Sequence, residues 1–253
     1  MLIDTHTHLY LEKFHDDIDD VMQRAKDSDV GLMLLPNIDS ETMDSVFELA
    51  NAYESCLPMV GLHPCSVKAD YKTELEKLYA YIDRENVIAV GEIGMDLYWD
   101  KSFKSEQVRA FHDQIDWALD KDLPIVIHSR NAMQECIEIV KDRQDGNLRG
   151  VFHCFDQDET SALAILDLGF YIGIGGVLTF KKSKLPEAIR DLPLDRIILE
   201  TDSPFLTPSP HRGKRNESSY VQFVAEKAAQ IFEKEIKEIA EITTTNTKAL
   251  FRL

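Results

Sequence analysis

Short aliphatic runs alternate with amphipathic stretches along the whole chain. Eight runs stand out, at residues 2–7, 30–35, 59–62, 87–92, 124–128, 150–153, 170–174 and 196–201. Most are near-continuous in Val, Ile and Leu rather than strictly alternating with polar residues, the pattern of strands buried on both faces. Between them the apolar positions recur every three to four residues, which predicts helices over 18–28, 40–53, 72–82, 105–121, 132–143 and 160–168. The seventh connection is short, and beyond the eighth run a helix is expected over 220–235, followed by separate segments at 236–240 and 243–251.

Strands and helices in regular alternation imply a parallel sheet with both faces covered. Eight such units in 253 residues match the count and size of a closed (β/α)8 TIM-type barrel. An open doubly wound sheet shares the alternation, so the placement of polar residues has to choose between the two. No Gly- or Pro-rich linker divides the chain, and 1–253 reads as one domain.

The polar residues favour the barrel. His6 and His8 stand two apart at the end of the first run, on the same side of a strand. Glu92 closes the fourth run, His128 the fifth and His153 the sixth, while Asp202 follows the eighth. Groups of this kind at the ends of buried strands cost several kcal/mol unless they are paired or coordinated. The C-terminal ends of the strands are also where barrel enzymes build their sites. Four imidazoles and two carboxylates exceed what one tetrahedral catalytic ion takes from a protein, so two divalent ions are expected. Glu92, between the two ligand groups in strand order, is the natural bridge; His6, His8 and Asp202 would hold one ion, His128 and His153 the other. Mixed nitrogen and oxygen ligation suits Zn, Mn or Fe better than Mg, and the choice among the four stays open.

Composition narrows the partners. With 28 basic against 45 acidic residues the net charge is −17, which excludes coating of nucleic acid or anionic membrane by the overall field. A nucleic-acid partner must be held locally. Lys181, Lys182 and Lys184 after the seventh run, and Arg212, Lys214 and Arg215 after the eighth, make two basic loops suited to a phosphate clamp. His63, ending the third run, could hydrogen-bond a phosphate or leaving oxygen or merely brace its loop. Tyr98 and Trp99, just past Glu92, could stack on a base or pack inward. Residues 173–176 are glycine-rich but lack the helix-opening fingerprint of a dinucleotide site, and read as close backbone approach. Cys56, Cys65, Cys136 and Cys154 form no paired motif and are expected to be unbridged. No apolar run nears the roughly 18 residues of a membrane helix, and Asp4 interrupts any leader at once, so a cytoplasmic protein is expected.

With these residues in view, the sequence resembles the TatD family of metal-dependent deoxyribonucleases, in the amidohydrolase-like barrel superfamily. The matching segments are Ile3-Asp4-Thr5-His6-Thr7-His8, Gly61-Leu62-His63-Pro64, Gly91-Glu92-Ile93-Gly94-Met95-Asp96, Pro124-Ile125-Val126-Ile127-His128, His153-Cys154-Phe155 and Glu200-Thr201-Asp202-Ser203-Pro204-Phe205-Leu206. The resemblance implies ligands at His6, His8, Glu92, His128, His153 and Asp202, and hydrolysis of DNA phosphodiester bonds, usually trimming ends. Leu97 stands where many members carry an aromatic residue and Ser218 where proline is usual, differences expected to bear on substrate contact around the mouth. Glu92 at the bridge, where several relatives in the superfamily carry a carboxylated lysine, favours the TatD branch.

The leading expectation is therefore a two-metal phosphodiesterase acting on single-stranded or frayed DNA ends, with RNA or tRNA also conceivable. Asp202 would orient or deprotonate the attacking water. An acyl or amide hydrolase, such as an aminoacyl-tRNA deacylase, could use the same site; a non-catalytic, metal-stabilised interaction protein would need no open coordination positions.

Overall fold

The computed structural model describes residues Met1–Leu253. Its eight strands are β1 (Leu2–Asp4), β2 (Val30–Leu35), β3 (Cys56–Pro58), β4 (Val90–Asp96), β5 (Ile125–Arg130), β6 (Gly150–Phe152), β7 (Tyr171–Ile174) and β8 (Ile197–Leu199). They pair in sequence order as two parallel arcs, β1-β2-β3 and β4-β5-β6-β7-β8. Single bridges, Val60 to Val90 and Thr7 to Ser203, close the arcs into a barrel. The second closure is reinforced by side chains. Asp4, fully buried, accepts from the Thr201 amide (2.8 Å) and the Thr201 hydroxyl (2.7 Å). Burial pushes its carboxyl up to about 7 against those hydrogen bonds.

Strand bounds differ from the sequence expectation in several places: β1 stops at Asp4, ahead of His6 and His8, β5 runs past His128 to Arg130, and β8 stops at Leu199. The third strand lies earlier, at Cys56–Pro58, and the residues expected to form it supply only the Val60 bridge. The fourth starts later and runs on to Asp96, so Glu92 lies inside it rather than at its end. Gly94 permits this. At φ +127° it pairs with His128, and a Cβ there would lie 2.2 Å from the His128 carbonyl oxygen.

The helices are α1 (Ile18–Asp27), α2 (Met43–Ala52), α3 (Tyr71–Tyr79), α4 (Lys104–Lys121), α5 (Met133–Arg143), α6 (Glu159–Asp167), α7 (Leu185–Ile189), α8 (Val221–Phe232) and α9 (Ile236–Phe251). α4 buries Gln107, Ala110, Phe111, Gln114, Ile115 and Ala118, a stripe with helical spacing. The final segments form one helix, α9, not two. Thr243 and Thr247 donate their hydroxyls to the carbonyls of Ile239 and Thr243, at 2.9 and 2.8 Å, so the threonine-rich stretch stays helical while its buried stripe continues to Phe251. No helix is long and apolar enough to cross a membrane, and the four cysteines are unpaired.

Two apolar clusters divide the interior. The larger lies between strands and helices. The smaller draws Ile3, Leu34, Val126, Val151 and Ile198 from β1, β2, β5, β6 and β8, and is stopped by Leu250 and Phe251 of α9. Contact among residues from strands on opposite sides places it inside the barrel. Two residues further along the same strand faces come His128, His153 and Glu200. The barrel interior thus changes from an apolar plug at one end to ionisable groups at the other.

Candidate metal centre

Glu92 is the hub of that polar end. It is 2% exposed, and its two carboxylate oxygens face different imidazoles. Oε2 lies 3.1 Å from His6 Nε2 and 3.7 Å from His8 Nε2. Oε1 lies 2.8 Å from His128 Nδ1, 2.9 Å from His153 Nε2 and 3.3 Å from His63 Nε2. Asp202 completes the first side, with Oδ1 3.5 Å from His8 Nε2 and 3.9 Å from His6 Nε2. Its backbone is left-handed (φ 56°), and its amide donates to the His6 carbonyl at 2.9 Å, which ties the end of β8 to that of β1.

Backbone and amide side chains hold the hub in place. The Asn37 amide donates to the Gly91 carbonyl and the Glu92 amide to the Asn37 carbonyl, at 3.0 and 3.2 Å. Asn37 Nδ2 donates to the Gly61 carbonyl at 2.8 Å, joining the ends of β2 and β3 to the first residues of β4. Gln107 of α4 clamps Asp96 by accepting from its amide (3.0 Å) and donating to its carbonyl (3.1 Å).

Charge in the cluster is self-consistent. Burial alone would push the Glu92 carboxyl up, but the positive charge on His153, His63 and His6 outweighs it and holds Glu92 well below the usual carboxylate range. Asp202 is likewise lowered, burial being overcome by His8, His6 and His153. Burial presses His153 down, yet Glu92 and Glu200 raise it well above an ordinary imidazole. His6 is lowered by burial, reinforced by the charge on His153.

The second nitrogen of each ring shows which atom is free to ligate. The Tyr10 hydroxyl donates to the Pro36 carbonyl (2.7 Å), so it accepts from His8 Nδ1 (2.8 Å) and leaves the His8 Nε2 lone pair facing inward. Asp96 Oδ2 lies 3.0 Å from His128 Nε2 and turns the Nδ1 lone pair inward. His153 Nδ1 faces Glu200 Oε1 at 3.4 Å, out of line for a hydrogen bond. His63 is set the other way. The Cys65 amide donates to its Nδ1 at 3.0 Å, so the neutral ring carries its proton on Nε2 and offers Glu92 a donor. His63, Glu92 and His128 are close enough to form a ligand set by distance, but this tautomer makes His63 a hydrogen-bond donor instead.

The residues fit a divalent cation. His6, His8 and Asp202 each offer a ligand atom within 4.8 Å of the others, as do His6, His153 and Glu200. His6 and His153 turn their Nε2 atoms to Glu92; their Nδ1 atoms, on the far side of each ring, are buried without a hydrogen-bond partner. Converging lone pairs, ionised carboxylates and imidazoles drawn toward positive charge are together what ligation satisfies.

All six residues expected as ligands are brought together, with His63 beside them. Tyr10 and Asp96, which orient two of the rings, and Glu200, whose carboxylate faces a third, were missed in the sequence. Tyr10 continues the two-residue alternation of His6 and His8, and the other two lie in the quoted motifs; the available signals were that parity and those motifs. Close backbone approach holds at Gly176, where a Cβ would lie 2.0 Å from the Leu206 carbonyl oxygen, but not at Gly173. At Gly173 a Cβ would meet the Glu200 carboxylate at 2.4 Å, so this glycine clears a side chain rather than a backbone.

The basic loops are confirmed only in part as free charge. Lys181, Lys182 and Lys184 are exposed and make no ion pair. Arg212 is exposed but donates to the Thr207 carbonyl (2.8 Å) and lies 3.8 Å over the Phe180 ring, which joins the two loops. Arg215 does not belong to the clamp: it pairs with Asp17 at 2.7 Å, because the loop after β8 folds back onto the start of α1. Leu97 and Ser218 are buried, at 6% and 0% exposure, and present no surface at the mouth. Tyr98 and Trp99 are 52% and 69% exposed, not packed inward. His15 is exposed, His112 half-buried, and His211 stacks on Tyr220 at 4.4 Å.

Comparison with known proteins gives a consistent result. A family model described as TatD related DNase matches residues 3–252. The chain is 39% identical to the uncharacterized metal-dependent hydrolase YabD of Bacillus subtilis, over 100% of both chains. It is 36% identical to the uncharacterized metal-dependent hydrolase YcfH of Escherichia coli, over 100% of this chain and 96% of that one. Among solved structures, YjjV, a TatD homolog from Escherichia coli K12, superposes with a TM-score of 0.94 at 30% identity, covering 100% of this chain and 98% of the other.

Proposed function

We propose, on the premise that this chain belongs to the TatD related DNase family and is a metal-dependent hydrolase, that it cleaves phosphodiester bonds at accessible ends of DNA with two divalent ions. The observation that carries the reading is the division of Glu92, with Oε2 turned to His6 and His8 and Oε1 turned to His128 and His153. In this reading Glu92 would serve both positions, with His6, His8 and Asp202 holding one ion and His128 and His153 the other. Bound there, divalent ions polarise a phosphoryl oxygen and lower the pKa of a water from 15.7 toward about 7.

The protein's own groups do the remaining work. Asp202 is ionised and only 15% exposed, so its carboxylate can hold a water by one oxygen and take its proton. His63 carries its Nε2 proton inward and donates it as a hydrogen bond to a phosphate or leaving oxygen. Tyr10 and Asp96 keep the His8 and His128 rings turned so that their lone pairs stay directed at the centre, and the Glu200 carboxylate sets a negative charge behind His153. Lys181, Lys182 and Arg212, on adjoining loops, attract the phosphate backbone in an otherwise acidic molecule.

The test is metal-reconstituted protein assayed on DNA oligonucleotides, aminoacyl-tRNA and small esters, with elemental analysis alongside. Hydrolysis of DNA is expected, with two ions per chain and loss of both the ions and the activity in Glu92→Ala. Chelator-resistant hydrolysis, or full activity in Glu92→Ala, overturns the assignment of the centre. Turnover confined to aminoacyl-tRNA or esters overturns the choice of substrate.

A further inference from the structure

Beside the candidate centre, β5 ends in Arg130, two residues past His128 and therefore on the same strand face. Its guanidinium carbon lies 4.0 Å from the Tyr98 ring centroid and 5.3 Å from that of Trp99. The two rings stand edge to face at 4.9 Å, and both are more than half exposed. Exposed aromatic surface costs free energy that a folded chain ordinarily avoids in such a concentration. Arg130 is exposed as well and forms no ion pair, although the chain carries 45 carboxylates. None of its guanidinium donors makes a hydrogen bond.

The loop that carries the rings is fixed to the centre by one carboxylate. Asp96 Oδ1 accepts from the amides of Tyr98 (2.9 Å) and Trp99 (3.1 Å), while its Oδ2 faces His128 Nε2. The Leu97 amide donates to the Arg130 carbonyl at 2.9 Å, so the loop and the end of β5 move together. The exposed rings and a planar cation that makes no ion pair or hydrogen bond are thereby held at a set distance from the ligand cluster. A guanidinium matches a phosphate in two-point geometry, and flat rings accept any base.

Resting on the phosphodiesterase reading, we infer that Arg130, Tyr98 and Trp99 form a nucleotide subsite for single-stranded DNA. The base next to the scissile bond stacks on the exposed rings, and Arg130 holds the phosphate on its far side. The subsite selects strands whose bases are unpaired, because a base inside a duplex has no free face to offer.

Trp99 reports on this directly, since the chain holds two tryptophans and Trp117→Phe leaves it alone. In that variant, phosphorothioate oligothymidylate should quench the Trp99 emission on binding, and an abasic oligomer of equal length and charge should not. In hydrolysis assays on oligothymidylate, Trp99→Ala should raise KM about 5- to 100-fold with kcat kept. Arg130→Ala should raise KM about tenfold and flatten the salt slope by about 0.7. Arg84→Ala is the control, an exposed arginine over the Tyr81 ring (4.1 Å) at the opposite end of the barrel, and should change neither. Equal quenching by the abasic oligomer, or equal losses in Arg84→Ala, overturns the subsite. If wild-type protein hydrolyses methyl 4-nitrophenyl phosphate but Trp99→Ala leaves KM for oligothymidylate unchanged, the subsite fails and the phosphodiesterase stands. If no phosphodiester is cleaved at all, the phosphodiesterase reading fails, and base-dependent quenching alone decides for or against the subsite.

Discussion

Gly173→Ala tests how the centre is held without touching an expected ligand. The new Cβ would lie 2.4 Å from Glu200 Oε2 and 3.1 Å from the His153 Cα, where ordinary contact begins at 3.4 Å. The His153 backbone belongs to the sheet and yields little, so the carboxylate has to retreat by about 1 Å. Glu200 is 1% exposed and its Oε1 accepts from the Cys154 amide at 2.7 Å, so the retreat takes that hydrogen bond beyond useful range. An amide left unpaired in that position costs about 1–3 kcal/mol of folding stability. The same movement withdraws the charge that faces His153 Nδ1. Losing such a partner behind a ligating imidazole lowers metal affinity about 10- to 100-fold, or about 1.4–2.7 kcal/mol.

Urea unfolding and competition titration with a chelator measure the two losses separately in Gly173→Ala. Glu200→Gln should keep the Cys154 hydrogen bond, and most of the stability, while losing metal affinity. Because both substitutions act through one carboxylate, the double variant should be little worse in affinity than either single one. Wild-type affinity in Gly173→Ala, or fully additive losses in the pair, would refute the assignment of Glu200 as the group that steers His153.

Three further outcomes are expected. Asp202→Asn should lower kcat far more than it changes KM, since a group that takes the proton of the attacking water acts on the transition state; a change mainly in KM would make Asp202 a binding residue. Single-stranded oligonucleotide binding, followed by anisotropy, should show a slope of log K against log salt of about −1.5 to −3, flattened by somewhat under one unit in Lys182→Ala, and a slope steeper than about −5 would indicate an extended basic track instead. Arg24→Met should destabilise by an amount between the ~1 kcal/mol of an exposed pair and the ~3–5 of a buried one, because Glu217 is only 6% exposed while Arg24 is 44% exposed. Burial raises the Glu217 carboxyl, and Arg24 and Ser219 more than reverse it, so its folded pKa is lowered. That stabilisation is present above the unfolded value of about 4.3 and lost as pH falls through the lower folded one. Urea midpoints across that window should therefore converge for wild type and variant; a gap that persists undiminished below it would contradict the ionic origin.

The barrel and its ligand-bearing end were legible in the sequence because both rest on local regularities. A strand covered on both faces shows as a continuous aliphatic run, and its side-chain parity places His6 with His8, and His128 and His153 above Val126 and Val151, without knowledge of any partner. The run boundaries were less secure. β4 continues to Asp96 because Gly94 lets it pair closely with His128, a contact with a residue more than thirty positions away. The threonines of α9 look like a break until their hydroxyls are seen to be satisfied within the helix.

What only the tertiary structure decided is the partner of each polar group. Sequence ranks Arg212 and Arg215 as equivalent basic loop residues, yet one stacks on Phe180 and the other is neutralised by Asp17 of the distant N-terminal region. It offers no reason to single out Arg130, whose charge is notable because no carboxylate reaches it. His63 and His128 look alike as strand-end histidines, but the Cys65 amide and the Asp96 carboxylate turn the rings opposite ways, so that with the proton on Nε2 in both, His63 presents its N–H to Glu92 and His128 its Nδ1 lone pair. Residue type and strand parity are written into neighbouring positions of the chain. A hydrogen-bond partner is fixed only when folding brings together groups as far apart as His6 and Glu92, and the directionality of that bond then determines which nitrogen is a lone pair and which is a donor.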